Sequence, residues 1–100
     1  MTLTAALTSE TARRARCCEA LSDPRNLLSI TGTLDTIAAC TGRIKALERL
    51  ADVPAADRPA HATRLLCAAL ATPAHGTAAF ARDAEMELYA DVLRGHVTLT

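Results

Sequence analysis

The sequence predicts an all-α fold, a small bundle of about four helices around a long central helix. Composition is the first observation: 22 of the 100 residues are alanine, Phe80 and Tyr89 are the only aromatics, and tryptophan is absent. Such a composition favours helices over strands. The second observation is an apolar stripe at helical spacing in the middle of the chain. One hundred residues suit a single domain over residues 1–100.

The central helix is predicted over residues 24–51. Its stripe of bulky apolar residues, which Thr41 shares, comprises Leu27, Ile30, Leu34, Ile37 and Ile44. The spacings of three and four residues mark one face of a helix, and we expect Leu27, Leu34, Ile37 and Ile44 to be buried. Asp23 and Pro24 form a helix-start signal. Gly32 is where a kink, or a break into two helices, would fall.

Shorter helices are predicted on both sides of the central one. Residues 1–22 form a first helix that Thr4 or Thr8 could cap. A proline-containing linker follows the central helix, and the next helix is expected over residues 59–71 with Asp57 as its cap. It ends before a Thr-Pro pair, because the residue before proline is displaced from the helical region.

The last helix is expected to run from Thr77, its predicted cap, to Arg94, with Gly95 as a left-handed end. It carries apolar residues on two sides. One set, expected to face the central helix, is Ala81, Ala84, Leu88 and Val92. The helix is either sandwiched in the core or presents its second side to a partner. The partner-binding hypothesis comprises Met86, Ala90 and Leu93, flanked by the acidic Asp83, Glu87 and Asp91.

Cysteine usage and the N-terminus indicate a reducing compartment. The N-terminal residues lack the basic and apolar regions of a secretory signal. We therefore expect a cytoplasmic protein. The four cysteines, at positions 17, 18, 40 and 67, should be free thiols that act as small buried hydrophobes.

The sequence contains no motif that indicates enzymatic catalysis or metal binding. The adjacent Cys17 and Cys18 point about 100° apart on a helix, and the three histidines are scattered, so no zinc-ligand spacing arises. The four glycines form no phosphate-binding loop. We expect neither an enzyme nor a bound metal or cofactor.

Two short segments resemble parts of DNA-binding proteins. The seven residues Glu19-Ala20-Leu21-Ser22-Asp23-Pro24-Arg25 are similar to the helix-entry segment of ArsR-type winged-helix repressors. Residues 34–42, LDTIAACTG, resemble the first helix and turn of a helix-turn-helix. That resemblance implies a DNA-binding regulator built on residues 34–50. Three cations, Arg43, Lys45 and Arg49, would then suit phosphate contacts.

The leading functional hypothesis is a non-enzymatic protein–protein interaction module. A small bacterial or phage regulator, adaptor or inhibitor acting through a helical face fits the composition, whose high alanine and arginine usage is typical of a GC-rich genome. Its partner would be another protein or a second copy of the chain. A second candidate surface is the basic cluster of Arg13, Arg14 and Arg16. The alternative function is DNA binding through residues 34–50.

Overall fold

The computed structural model describes residues 2–23, 25 and 30–97. Within these residues the chain forms four α-helices: α1 (Leu3–Ser22), α2 (Ile30–Ala51), α3 (Arg58–Ala71) and α4 (Thr77–Arg94). A short 3₁₀ helix, Ala55–Asp57, leads into α3, and the described part of the chain contains no strand. The predicted all-α bundle is confirmed. None of the helices in this part has the length and apolarity that crossing a membrane requires.

The central helix is continuous wherever the structure describes it. α2 passes through Gly32 and Gly42 without a break, because a single glycine costs a helix interior only about 1 kcal/mol relative to alanine. The prediction of one helix rather than two is therefore confirmed from Ile30 onward. The first expected residues of this helix, 24 and 26–29, lie outside the described residues.

Helix ends follow the local chemistry only in part. The cap of α1 is Thr2, whose hydroxyl accepts from the Ala5 N–H at 3.0 Å, so the choice of Thr4 or Thr8 is wrong. Asp57 and Gly76 precede α3 and α4 without any side-chain capping bond, and the prediction of a Thr77 cap is wrong because that residue is already helical.

The predicted C-terminal signal of α4 is confirmed. Gly95 adopts a left-handed conformation, with φ of 76°, and its N–H reaches the carbonyls of Asp91 and Val92. A side chain is rarely tolerated at such φ values, which is why glycine commonly ends helices in this way.

The helices lie side by side in the order α1, α2, α4, α3, and α2 touches α3 only slightly. α1 runs antiparallel to α2. α2 and α4 run parallel, since Gly42 lies against Ala81 while Arg49 reaches Glu85. The chain segment from Thr72 to Gly76 then makes α3 and α4 an antiparallel hairpin. α4 therefore has a neighbour on each of two sides, which accounts for its two apolar stripes.

The core lies in one half of the bundle. Its largest fully buried side chains are Tyr89, Leu47, Leu50 and Cys40. Of the predicted core residues, Ile44 is buried, Ile37 is half-buried, and Leu27 lies outside the described residues. The prediction for Leu34 is wrong: 42% of this residue is exposed. The reason is the length of the neighbouring helix, because α4 begins too late to cover this end of α2.

Candidate interaction surface

The six α4 residues proposed from sequence as a partner surface differ in exposure. Leu93, Asp83 and Glu87 are exposed, whereas Met86 and Ala90 are half-buried. Met86 and Leu93 follow Arg82 at helical spacing, and Arg82 donates from Nη1 to the Thr72 carbonyl at the end of α3, 3.0 Å away. This side of α4 therefore leans toward α3, and the exposed part of the predicted surface comprises Leu93 near its end and the acidic Asp83 and Glu87. Partner binding by these residues stays a prediction.

The acidic edge is only partly neutralised. Asp83 lies 3.4 Å from Arg82, and the half-buried Asp91 lies near Arg94 and His96. Glu87 forms no ion pair with any residue that the structure describes. Phe80, one turn before Asp83, is 49% exposed. The outward face of α4 thus combines an aromatic side chain with acidic ones.

The helix-turn-helix geometry expected over residues 34–50 is not formed. α2 is one uninterrupted helix from Ile30 to Ala51, so no turn separates a recognition helix at Gly42.

The cations expected to contact phosphates are engaged within the fold. Arg43 Nε lies 3.0 Å from Glu10 Oε1 on α1, and Arg49 Nη1 lies 2.8 Å from Glu85 Oε1 on α4. Lys45 Nζ approaches the other oxygen of Glu85 at 3.9 Å. These contacts favour a role in helix packing over one in DNA contact.

Glu85 is the centre of a buried polar network that sequence reasoning missed. It is only 5% exposed, and its Oε1 accepts from the Tyr89 hydroxyl at 2.7 Å as well as from Arg49. Burial, and then the bond to Glu85, raise the pKa of Tyr89 above its usual value. The sequence signal was available: Glu85 and Tyr89 are spaced i, i+4 on the side of α4 that faces the core.

An exposed apolar row continues the α2–α4 contact. Gly42 packs against the backbone of Ala81, and the same i, i+4 row of α2 runs back through Ala38, Leu34 and Ile30. Ala38 is half-buried, while Leu34 and Ile30 are 42% and 39% exposed. We call Ile30, Leu34 and Ala38 the exposed ridge of α2. The ridge lies beyond the start of α4, where α1 is the one described helix that accompanies α2.

Basic side chains lie on the α1 half of the same hairpin. Arg13 and Arg16 are exposed, and Arg14 is half-buried with Nη1 3.5 Å from the Thr41 hydroxyl. None of the three forms an ion pair with a described residue. This end of the molecule therefore presents apolar side chains together with positive charge that Glu19, exposed three residues after Arg16, offsets only in part.

The cysteines do not share one role. All four are free thiols, but only Cys40 is buried, so the expectation of four buried hydrophobes is wrong for the exposed Cys18 and Cys67 and for the half-buried Cys17. Burial, and then the nearby Glu10 carboxylate, raise the pKa of Cys40. Its nucleophilic thiolate is therefore scarce at neutral pH. Among the described residues no three potential ligands gather into a metal site.

Comparisons with known proteins add no assignment to this surface. The chain matches no family model, no curated protein and no solved structure. The functional argument therefore rests on the geometry of the exposed ridge and of the charges around it.

Proposed function

We propose that this chain is a non-enzymatic protein–protein interaction module whose docking surface is the exposed ridge of α2. The observation that carries the proposal is the interruption of one packing row. The row is covered by α4 at Gly42 and left uncovered at Leu34 and Ile30. Two large aliphatic side chains on a helix that already packs elsewhere form the kind of apolar patch that marks a binding surface.

The uncovered stretch of α2 is about two helical turns long. α4 runs parallel to α2 and begins at Thr77, four residues before Ala81, which is level with about Ala38 on α2. The eight residues from Ala38 back to Ile30 extend α2 by about 12 Å at 1.5 Å per residue. A partner helix lying there would follow the line of α4 and bury Leu34 and Ile30.

The exposed charges near the ridge indicate which kind of partner it would bind. Because Arg13 and Arg16 are exposed and form no ion pair with a described residue, the surface favours an amphipathic helix with an acidic edge. The outward face of α4, with Phe80, Asp83 and Glu87, has this chemistry. The proposed partner is therefore a second copy of the chain. Each copy carries both surfaces. In a dimer with a two-fold axis, the exposed ridge of each copy can therefore bind the outward face of α4 of the other copy.

The exposed thiols suit the same proposal of an intracellular module. Cys18 and Cys67 are accessible and unpaired. Thiols in that state persist in a reducing compartment such as the cytoplasm, which is the proposed location.

The test is the concentration dependence of the mass in solution for the wild type and two leucine variants. Leu34→Glu places a carboxylate on the exposed ridge, and we expect it to weaken self-association at least tenfold. Leu70→Glu is the matched control, because Leu70 on α3 is 64% exposed and lies outside both surfaces. It should associate like the wild type. Circular dichroism should show equal helicity for all three proteins.

Two outcomes would overturn the proposal. One is a wild type that stays monomeric up to millimolar concentration. The other is a Leu34→Glu variant that is folded and associates as strongly as Leu70→Glu. Added salt should weaken the wild-type association, because the charges involved are exposed to solvent.

A further inference from the structure

A cavity of about 540 Å³ lies between the middle of α2, the end of α3 and the start of α4. Small residues line much of it, including Gly42, Ala68, Ala78 and Ala81. Neither the core nor the exposed ridge uses this space. Its volume is within the range of sites that hold small molecules, roughly 300–1,000 Å³.

The charged side chains on the cavity wall are mostly positive. Three cations, Lys45, Arg49 and Arg82, line it together with one carboxylate, that of Glu85. The formal balance of the lining residues is 3 − 1 = +2, and Asp83, just outside the wall, lies 3.4 Å from Arg82. Glu85 is occupied by the Tyr89 hydroxyl and by Arg49, whereas Lys45 is 55% exposed and only approaches Glu85 at 3.9 Å. Lys45 is therefore free to turn toward a ligand.

Arg82 adds to the cavity wall a charged group with an unsatisfied donor. Its Nη1 donates to the Thr72 carbonyl, but its Nε is buried and has no hydrogen-bond acceptor among the described residues. A buried donor on a charged group is costly to leave unpaired. The wall of the cavity thus holds a guanidinium whose Nη1 and Nη2 donate to Thr72 and Asp83, and whose Nε lacks an acceptor.

The start of α4 adds to the positive potential. Ala78, in the first turn, lines the cavity. This turn contains no acidic residue, and no side chain caps it. The Ala79 N–H of this turn donates to the Gly76 carbonyl at 3.1 Å, and the positive end of the helix dipole reinforces the attraction of the three cations for an anion.

We propose that the cavity between α2, α3 and α4 binds a small organic anion that carries a carboxylate or phosphate group on an apolar or aromatic body. Lys45, Arg49 and Arg82 hold the anionic group, and the alanine-lined wall holds the body. The carboxylate and phosphate forms share this chemistry. The experiment therefore compares both.

The experiment is a titration of ¹⁵N- and methyl-labelled protein with benzoate, phenyl phosphate and neutral benzamide at constant ionic strength. The Leu34→Glu background keeps the result independent of self-association. We expect saturable shifts at Ala68, Ala78 and Ala81 with at least one of the two anions, and none with benzamide. The anion that binds more tightly identifies the preferred group. Shifts with neither anion, or equal shifts with benzamide, would overturn the proposal.

Two variants test the assigned residues. Lys45→Gln should weaken binding of the preferred anion about tenfold or more, as expected for a lost charge-assisted hydrogen bond. Arg64→Gln removes one exposed charge from α3, outside the cavity and the docking surface, and it should leave binding unchanged. Ala68→Leu fills the cavity from an exposed position without altering charge, and it should abolish the shifts while helicity is retained. Equal binding by Lys45→Gln and Arg64→Gln would contradict the assignment.

Discussion

Tyr89 reports on the buried network because it is the only tyrosine in the chain, which also lacks tryptophan. Burial and the bond to Glu85 raise its pKa above the ordinary value of 10.0. The folded chain therefore keeps a proton that the unfolded chain releases. The stabilising contribution is fully present below pH 10 and is lost as the pH rises toward the folded-state pKa.

We therefore predict that phenolate absorbance will not appear near pH 10 while the chain is folded. It should rise together with the loss of helical circular dichroism in an alkaline titration. Tyr89→Phe serves as the control: it has no phenolate signal, and its stability should depend less on pH in the alkaline range. A phenolate that titrates at the ordinary pKa with helicity intact would show that Tyr89 is not held as described.

Single residues also show where sequence reasoning stopped. Arg49 and Glu85 are 36 positions apart, and no local pattern pairs them. Their contact follows from the register between α2 and α4, which the packing of Gly42 against Ala81 sets. The i, i+4 relation between Glu85 and Tyr89 was visible in the sequence. The burial of Glu85 was not visible, because a charged residue is ordinarily expected at the surface.

At the scale of the helix, α2 contains a matched pair of glycines with opposite surroundings. A Cβ added at Gly32 would meet nothing within 4 Å. A Cβ added at Gly42 would overlap the carbonyl oxygen of Ala81 and lie 2.7 Å from its carbonyl carbon. The first position therefore retains only the entropic disadvantage of glycine, while at the second glycine is needed for the close approach of two helix backbones.

We predict opposite effects of the same substitution at these positions. Gly32→Ala should raise the free energy of unfolding by up to about 1 kcal/mol, the usual gain of alanine over glycine in a helix interior. Gly42→Ala should lower it by about 1–3 kcal/mol despite that gain, because α2 and α4 must move apart. Urea unfolding midpoints measure both. A stabilised Gly42→Ala variant would be inconsistent with the observed packing.

The helices themselves were largely predictable, because their boundaries depend on local signals. The proline-containing linker, the Thr-Pro turn and Gly95 placed α3 and α4 nearly where the structure has them. The apolar stripe of α2 correctly predicted that Ile44 is buried, but the same prediction was wrong for Leu34. Periodicity identifies a face, but whether that face is covered depends on where a distant helix begins. For the same reason, the exposed ridge and the anion cavity could not be read from the sequence.

For the whole molecule, burial is concentrated at one end. The buried residues of α1 are Leu3 and Ala6, and those of α2 lie between Cys40 and Leu50. The described residues 11–22 and 30–39 include no buried side chain. Local stability follows burial, so the far end of the α1–α2 hairpin should open more readily than the core.

We predict a gradient of amide hydrogen exchange along α2 in the monomeric protein. Residues 34–39 should exchange through local opening, much faster than residues 44–50, whose exchange should approach the limit set by global unfolding. Mass spectrometry of overlapping peptides or NMR would measure this. Self-association through the exposed ridge should slow exchange selectively in the first segment. Uniform protection along α2 would contradict the proposed difference in local stability between residues 34–39 and residues 44–50.

The parallel pairing of α2 with α4 also constrains how the chain folds. The α1–α2 and α3–α4 pairs are hairpins of neighbouring segments, which can form from local contacts at little cost in loop closure. α2 and α4 can meet only after α3 has carried the chain back along their length. Their docking is the one extensive non-local step, so the rate of folding should depend on it rather than on the hairpins. Gly42, where the two backbones pack closely, then lies at the contact whose formation sets the folding rate.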